Sequence, residues 1–246
     1  MISIDLNCDM GEGVGNDEAL LPFISSANIA CGYHAGNEEE MGRVVNLCLK
    51  YKVAIGAHPS FPDKANFGRN AMHFPLPEVY ELVKKQIIIL QQVAMEAGTR
   101  IHHVKPHGAI YNMAAKDPLF AHAIAKAVFD ADPSLIYYGL SGSVMIEEAA
   151  KLGLKTAEEV FADRTYMEDG SLTLRSQPDA LIENADDMVK QVIQMINDKT
   201  VTAINGKIIP IKADTICIHG DGIHAVEFVG ILNEHLQNAM IQIKTI

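Results

Sequence analysis

Polar side chains able to move protons recur in this chain at the ends of short apolar runs. Asp5, Asn7 and Asp9 alternate with Ile4 and Leu6; His34 follows Ala30-Cys31-Gly32-Tyr33; His58 closes a run before Pro59. His103, Lys105 and His107 share one parity, as do Cys217, His219 and Asp221. Alternate residues of an extended backbone lie on one face, so each run presents its polar residues to the same side. With Glu12, Arg69 and Arg164 the inventory comprises carboxylates, imidazoles and cations, a set that transfers protons and stabilises an oxyanion. Any one of these residues could simply cap a turn or satisfy a buried backbone group, a reading that weakens when several recur at equivalent ends. Lys105 is the most telling, because an inward lysine is costly without an anionic partner or ligand. Asp9 with His34 and His58 could hold a divalent ion. These three come from distant segments without local metal spacing, however, and serve metal-free acid and base work equally well, so the site is read without a protein-bound metal.

Such residues need a scaffold that brings strand ends together. Apolar runs over Ile2 to Asn7, Ser26 to Cys31, Val53 to His58, Ile101 to Lys105, Ile136 to Leu140, Thr156 to Ala162 and Thr215 to His219 read as strands. Helical patterns lie between most of them. Asn37 caps a helix with Glu38, Glu39 and Glu40 in its first turn and Met41, Val44, Val45 and Cys48 on one side. Glu78 to Ala97 runs to a stop at Gly98, Asp117 precedes Pro118 at another start, and Gly153 ends a further helix. Ala185 to Ile196 and Ala225 to Leu236 follow. This alternation predicts a parallel sheet with crossover helices in one domain spanning residues 1–246, either a closed barrel or an open doubly wound sheet. In both, strand ends converge at one mouth. Gly11, Gly13 and Gly15 resemble a dinucleotide loop only superficially, since Asn16 stands where the third glycine belongs.

Composition narrows the partners. The 246 residues carry 20 basic and 31 acidic groups, a formal net charge of -11, which disfavours nucleic acid and anionic membrane. Apolar stretches such as Ile87 to Leu90 are too short to span a bilayer, and the first residues lack a charged signal-peptide start, so a cytoplasmic location is expected. The four cysteines, Cys8, Cys31, Cys48 and Cys217, are scattered without a Cys-x-x-Cys pair and read as reduced thiols.

Longer motifs are more specific. Asp5-Leu6-Asn7-Cys8-Asp9-Met10-Gly11-Glu12, Asn28-Ile29-Ala30-Cys31-Gly32-Tyr33-His34-Ala35-Gly36 and Gly56-Ala57-His58-Pro59-Ser60 occur in that order. Phe67-Gly68-Arg69, Val104-Lys105-Pro106-His107-Gly108, Phe161-Ala162-Asp163-Arg164 and Cys217-Ile218-His219-Gly220-Asp221 follow. Together these resemble the LamB/YcsF family over nearly the whole chain. The resemblance implies a distorted, seven-stranded (β/α) TIM-like barrel of the glycoside hydrolase/deacetylase type. It also implies ATP-dependent opening of the lactam 5-oxo-L-proline to L-glutamate, in a complex with 5-oxoprolinase subunits B and C.

On that reading Asp5, Asn7, Asp9, His58, Lys105 and His107 are candidate catalytic residues. Glu12, His34, Arg69, Asp163, Arg164, His219 and Asp221 are candidates for binding substrate and phosphate. Lys105, Arg69 and Arg164 suit phosphate; Asp5, Asp9, His58 or His107 suits a base; Asn7 or strand-end amides suit the oxyanion. No Walker-type phosphate loop is present, so ATP with Mg2+ is expected to be bound mainly by, or together with, a partner subunit. Asn70 stands where a second arginine usually follows Arg69. Two competing readings are a stand-alone metal-dependent deacetylase or C–N hydrolase, and a non-catalytic activating subunit.

Overall fold

A computed structural model describes residues 2–220, 222 and 224–246; Asp221 lies outside the described residues. The strands are β1 (Ile2–Met10), β2 (Ser26–Ala30), β3 (Ala54–His58), β4 (His103–Val104), β5 (Ile136–Leu140), β6 (Lys155–Phe161), β7 (Thr200–Thr202), β8 (Ile208–Pro210), β9 (Thr215–Ile218) and β10 (Ile241–Ile243). Among the described residues, β1 to β6 and β9 form a parallel sheet in sequence order, and β9 pairs back with β1. The sheet is therefore a closed barrel of seven strands, the first of the two architectures the alternation allowed. Its distortion is visible on β1, whose Ile2–Ile4 pairs with β10 while Asp5–Cys8 pairs with β9. The antiparallel hairpin of β7 and β8 stands outside the barrel.

Helices α1 (Asp17–Leu20), α2 (Glu38–Tyr51), α3 (Leu76–Glu96), α4 (Gly108–Ala114), α5 (Pro118–Ala131), α6 (Val144–Lys151), α7 (Ala185–Asn197) and α8 (Ala225–Asn238) connect the strands. Their starts follow local chemistry. The Asn37 side chain accepts from Glu40 N–H at the start of α2, and Asp117 accepts from Leu119 and Phe120 at the start of α5, satisfying amides that have no partner within the helix. Helix α3 starts two residues before the patterned segment because Pro77 fits its first turn. No helix among the described residues is long and apolar enough to cross a membrane.

The pleat of β1 sorts its residues. Leu6, Cys8 and Met10 join the hydrophobic core with Val44, Val45 and Ile87 of the surrounding helices, while Asp5, Asn7 and Asp9 turn the other way into a polar barrel interior. Strand β4 is only two residues long, although His102 N and Lys105 N on either side still donate to Ile55 and Ala57 of β3. The hairpin, α4 and β10 have no counterpart in the sequence reading; each is too short for a periodic pattern to register.

Candidate active site

The interior is built in layers. At the lowest, Asp5 is 1% exposed and accepts hydrogen bonds from Ser25 Oγ (2.6 Å), Ser26 Oγ (2.7 Å), Tyr138 Oη (3.0 Å) and Thr215 Oγ1 (2.6 Å). Four hydroxyl donors saturate this carboxylate, and it lies away from the cavity at the mouth. The sequence assigned Asp5 to the mouth as a candidate base; the length of β1 places it instead at the bottom, as a tie between four strands.

One layer up, Asn7 Nδ2 donates to Glu159 Oε1 (3.0 Å) and Thr215 Oγ1 (2.7 Å) while Oδ1 accepts from Asn28 Nδ2 (2.8 Å). Both ends of this amide are occupied within the protein, so it positions neighbours rather than donating to an oxyanion. His103 reaches Asn28 Oδ1 at 2.8 Å by crossing Gly56, where a Cβ would fall 2.1 Å from His103 Nε2; only glycine leaves room for that ring.

Lys105 joins this layer to the mouth. Its Nζ lies 3.0 Å from Asp9 Oδ1, 3.0 Å from Glu159 Oε1, 3.3 Å from Asn7 Oδ1 and 3.0 Å from Cys217 Sγ. Burial works against the ammonium, but Asp9, Cys217 and Glu159 hold its pKa well above the ordinary lysine value. Burial likewise pushes the Asp9 carboxyl up, yet His58 and Lys105 hold it well below the usual carboxylate range. The pair is therefore an ammonium–carboxylate couple. Burial raises the Cys8 and Cys217 thiols well above the usual value, which keeps both from acting as thiolates at neutral pH.

At the mouth, His58 Nε2 lies 3.3 Å from Asp9 Oδ2 and 2.9 Å from His107 Nδ1. The His107 ring stacks on His34 with centroids 3.8 Å apart, and Glu12 Oε1 lies 2.9 Å from His34 Nε2. Gly68, with φ of +65°, backs this stack; a Cβ there would fall 2.9 Å from His34 Cβ and 3.0 Å from His107 Cδ2. Beside Asp9, His219 Nδ1 lies 2.8 Å from Asp163 Oδ1, and its backbone N–H donates to Asp163 Oδ2 at 3.1 Å. Asp163 thus sets the tautomer, with the lone pair on Nε2. Burial would raise the Asp163 carboxyl, but His219 beside it lowers it overall.

Asp9, Glu12, His58, Lys105, His107 and His219 line one cavity of about 960 Å³, within the size range of small-molecule sites. Arg69, Arg164 and Arg175 line it as well.

The family model described as LamB/YcsF matches residues 4–246. The chain belongs to the LamB/YcsF family. A protein of Tolumonas auensis, named as a 5-oxoprolinase subunit, is 49% identical over 99% of each chain, and one with the same name from Bordetella pertussis is 52% identical over 92% of each. Among solved structures, the lactam utilization protein from Thermus thermophilus superposes with a TM-score of 0.93 at 38% identity, over the full length of both chains.

Against that family frame, the geometry redistributes several residues read from sequence. Asp9, Glu12, His34, His58, Lys105 and His107 come together at the mouth, with His219 beside Asp9 and Asp163 behind His219. Arg164 borders the cavity, but its Nε and Nη2 donate to the carbonyls of Ala180 (3.2 Å) and Thr173 (2.5 Å), so much of this guanidinium pins the following loop instead of binding phosphate. Burial and the neighbouring Arg175 lower its pKa. Glu159, Asn28 and Arg175 were not singled out from sequence. For Glu159 the signal was present: on β6 it shares parity with Phe161, whose ring lies 5.4 Å from Lys105 Nζ.

Proposed function

We propose that this chain is the lactam-handling component of an ATP-dependent 5-oxoprolinase, opening 5-oxo-L-proline to L-glutamate together with partner subunits. The observation that carries the reading is two devices side by side at one cavity: the buried Asp9–Lys105 couple and the Asp163–His219 dyad, with ligand atoms of Asp9 and His219 within 4.8 Å of each other. The relatives named as 5-oxoprolinase subunits and the named lactam utilization protein support the same reaction class.

A lactam carbonyl is a poor electrophile, so attack of its oxygen on the γ-phosphoryl of ATP, releasing ADP, activates the ring carbon toward water. Water then adds to that carbon, a base takes its proton, and the ring C–N bond breaks with protonation of the nitrogen. The resulting acyl phosphate is hydrolysed by a second water to L-glutamate and phosphate. His219 suits the base: Asp163 orients its ring and stabilises the imidazolium formed when Nε2 takes a proton. Lys105 supplies a fixed positive charge where an oxyanion develops. Arg69 and Arg175 border the cavity as cations for carboxylate or phosphoryl oxygens. ATP with Mg2+ is held chiefly by partner subunits B and C, since this sequence carries no Walker-type loop.

The test mixes this chain with the purified partner subunits, 5-oxoproline and Mg-ATP and follows glutamate. Glutamate should form only when this chain is present. An unchanged rate in its absence would overturn the proposal.

A further inference from the structure

Two facing rings at the cavity wall cannot both be neutral. His58 Nδ1 lies 2.6 Å from the Lys105 carbonyl oxygen, and His107 Nε2 lies 2.8 Å from the Phe67 carbonyl oxygen. A carbonyl oxygen only accepts, so both of these nitrogens carry hydrogen. Turning either ring over would set a carbon against its carbonyl. In neutral rings the remaining nitrogens, His58 Nε2 and His107 Nδ1, would then both be bare, yet they face each other at 2.9 Å. Two lone pairs repel at that distance, whereas one hydrogen between them makes an ordinary hydrogen bond. The pair therefore holds one proton more than two neutral imidazoles.

The surroundings place that proton on His58. Its Nε2 lies 3.3 Å from Asp9 Oδ2, an anionic oxygen, since the Asp9 carboxyl stays well below the usual carboxylate range despite burial. His107 Nδ1 has Glu12 Oε1 only at 3.5 Å, and that oxygen is already 2.9 Å from His34 Nε2. With Ser60 Oγ donating to His34 Nδ1 at 2.8 Å, His34 Nε2 carries hydrogen and Glu12 accepts it, which leaves His34 neutral. His107 stacks on that ring, and burial holds it well below the usual histidine value. Asp9 thus spans two cations, Lys105 at Oδ1 and His58 at Oδ2.

We propose that His58 is an imidazolium sharing its Nε2 proton with His107, and that this proton is the one delivered to the ring nitrogen when the lactam opens. The delivery rests on the reaction proposed above, in which the proton taken up by the departing nitrogen has no assigned source. His58 and His219 both adjoin Asp9 and both line the cavity, so a lactam bound against Asp9 has an acid and a base as neighbours. As the C–N bond breaks, its electron pair goes to nitrogen, which takes the proton from His58 Nε2 directly or through one water; His58 is left neutral and regains a proton from solvent. The sequence offered His58 or His107 as a base, but the shared proton occupies the lone pair that either would need.

Two measurements test this. In long-range 1H–15N spectra of the full chain with 15N-labelled histidine at neutral pH, one ring should show both nitrogens protonated, and its signals should be absent from His58→Gln. A wild-type His58 with a single protonated nitrogen overturns both parts of the proposal, whatever the variant does. In the complex reconstituted with partner subunits and Mg-ATP, His58→Gln should lower glutamate formation about 100- to 10,000-fold while ADP still forms in the presence of 5-oxoproline, because phosphoryl transfer precedes the proton step. Loss of both products together, or of neither, overturns the acid assignment. A wild-type complex that forms no glutamate would instead overturn the reaction, and the spectra would still decide the shared proton.

Discussion

Asp9 Oδ1 and Lys105 Nζ lie 3.0 Å apart at the cavity, with 7% and 3% of their side chains exposed. The same ammonium lies 3.0 Å from Glu159 Oε1, whose side chain is fully buried. One cation thus bridges acidic side chains of β1 and β6, strands separated in the barrel by β9 alone, and its removal has a structural consequence as well as a chemical one.

Lys105→Met is therefore expected to abolish glutamate formation by the complex and to destabilise this chain by roughly 3–5 kcal/mol, the usual cost of leaving a buried charge without its partner. Adding Glu159→Gln should restore part of the stability and none of the activity. Denaturant unfolding of the two variants, read beside the assay, checks this; a single variant as stable as wild type would show that the couple does not hold the barrel.

Stability should fall on mild acidification. Burial, with His58 nearby, pushes His34 down to about 3, and burial holds His103 and His107 well below the usual histidine value. Unfolded histidines titrate near ~6.5, so below that pH the unfolded chain binds protons that the folded chain does not. The stability of the chain should thus drop as pH falls from about 6.5 toward 4. The depressed Asp9 carboxyl adds to the loss only below about pH 4, as pH approaches its folded value. Urea midpoints at pH 7.5 and 5.0 decide the matter; equal midpoints would contradict neutral buried histidines.

Gly68→Ala should cost about 1–3 kcal/mol, because φ of +65° is strained for alanine and the new methyl would press on both stacked rings. Glutamate formation should fall with it. A melt and activity matching wild type would mean that the His34–His107 stack tolerates displacement.

Much of this was legible in the sequence, and the illegible part has a physical pattern. Parity placed Asp5, Asn7 and Asp9 on one face of β1, and hydrogen bonds from that face confirm it. Parity does not say how high each residue sits: β1 continues to Met10, which lifts Asp9 to the mouth and leaves Asp5 below. Capping at Asn37 and Asp117 was readable because a cap is a local hydrogen bond. The partners of the His34, His58 and His107 rings were not, since Ser60, Lys105 and Phe67 approach these rings only in the folded chain.

The assignment of lactam opening to this cavity is tested most directly by His219→Ala in the reconstituted complex, with glutamate formation and 5-oxoproline binding both measured. The side chain is 15% accessible and pairs with Asp163, so its removal should cost about 1–3 kcal/mol of stability, and a melt recorded beside the assay separates that loss from the loss of rate. Loss of a general base should lower the rate about 100- to 10,000-fold while substrate still binds. Glutamate formation at the wild-type rate would contradict the account.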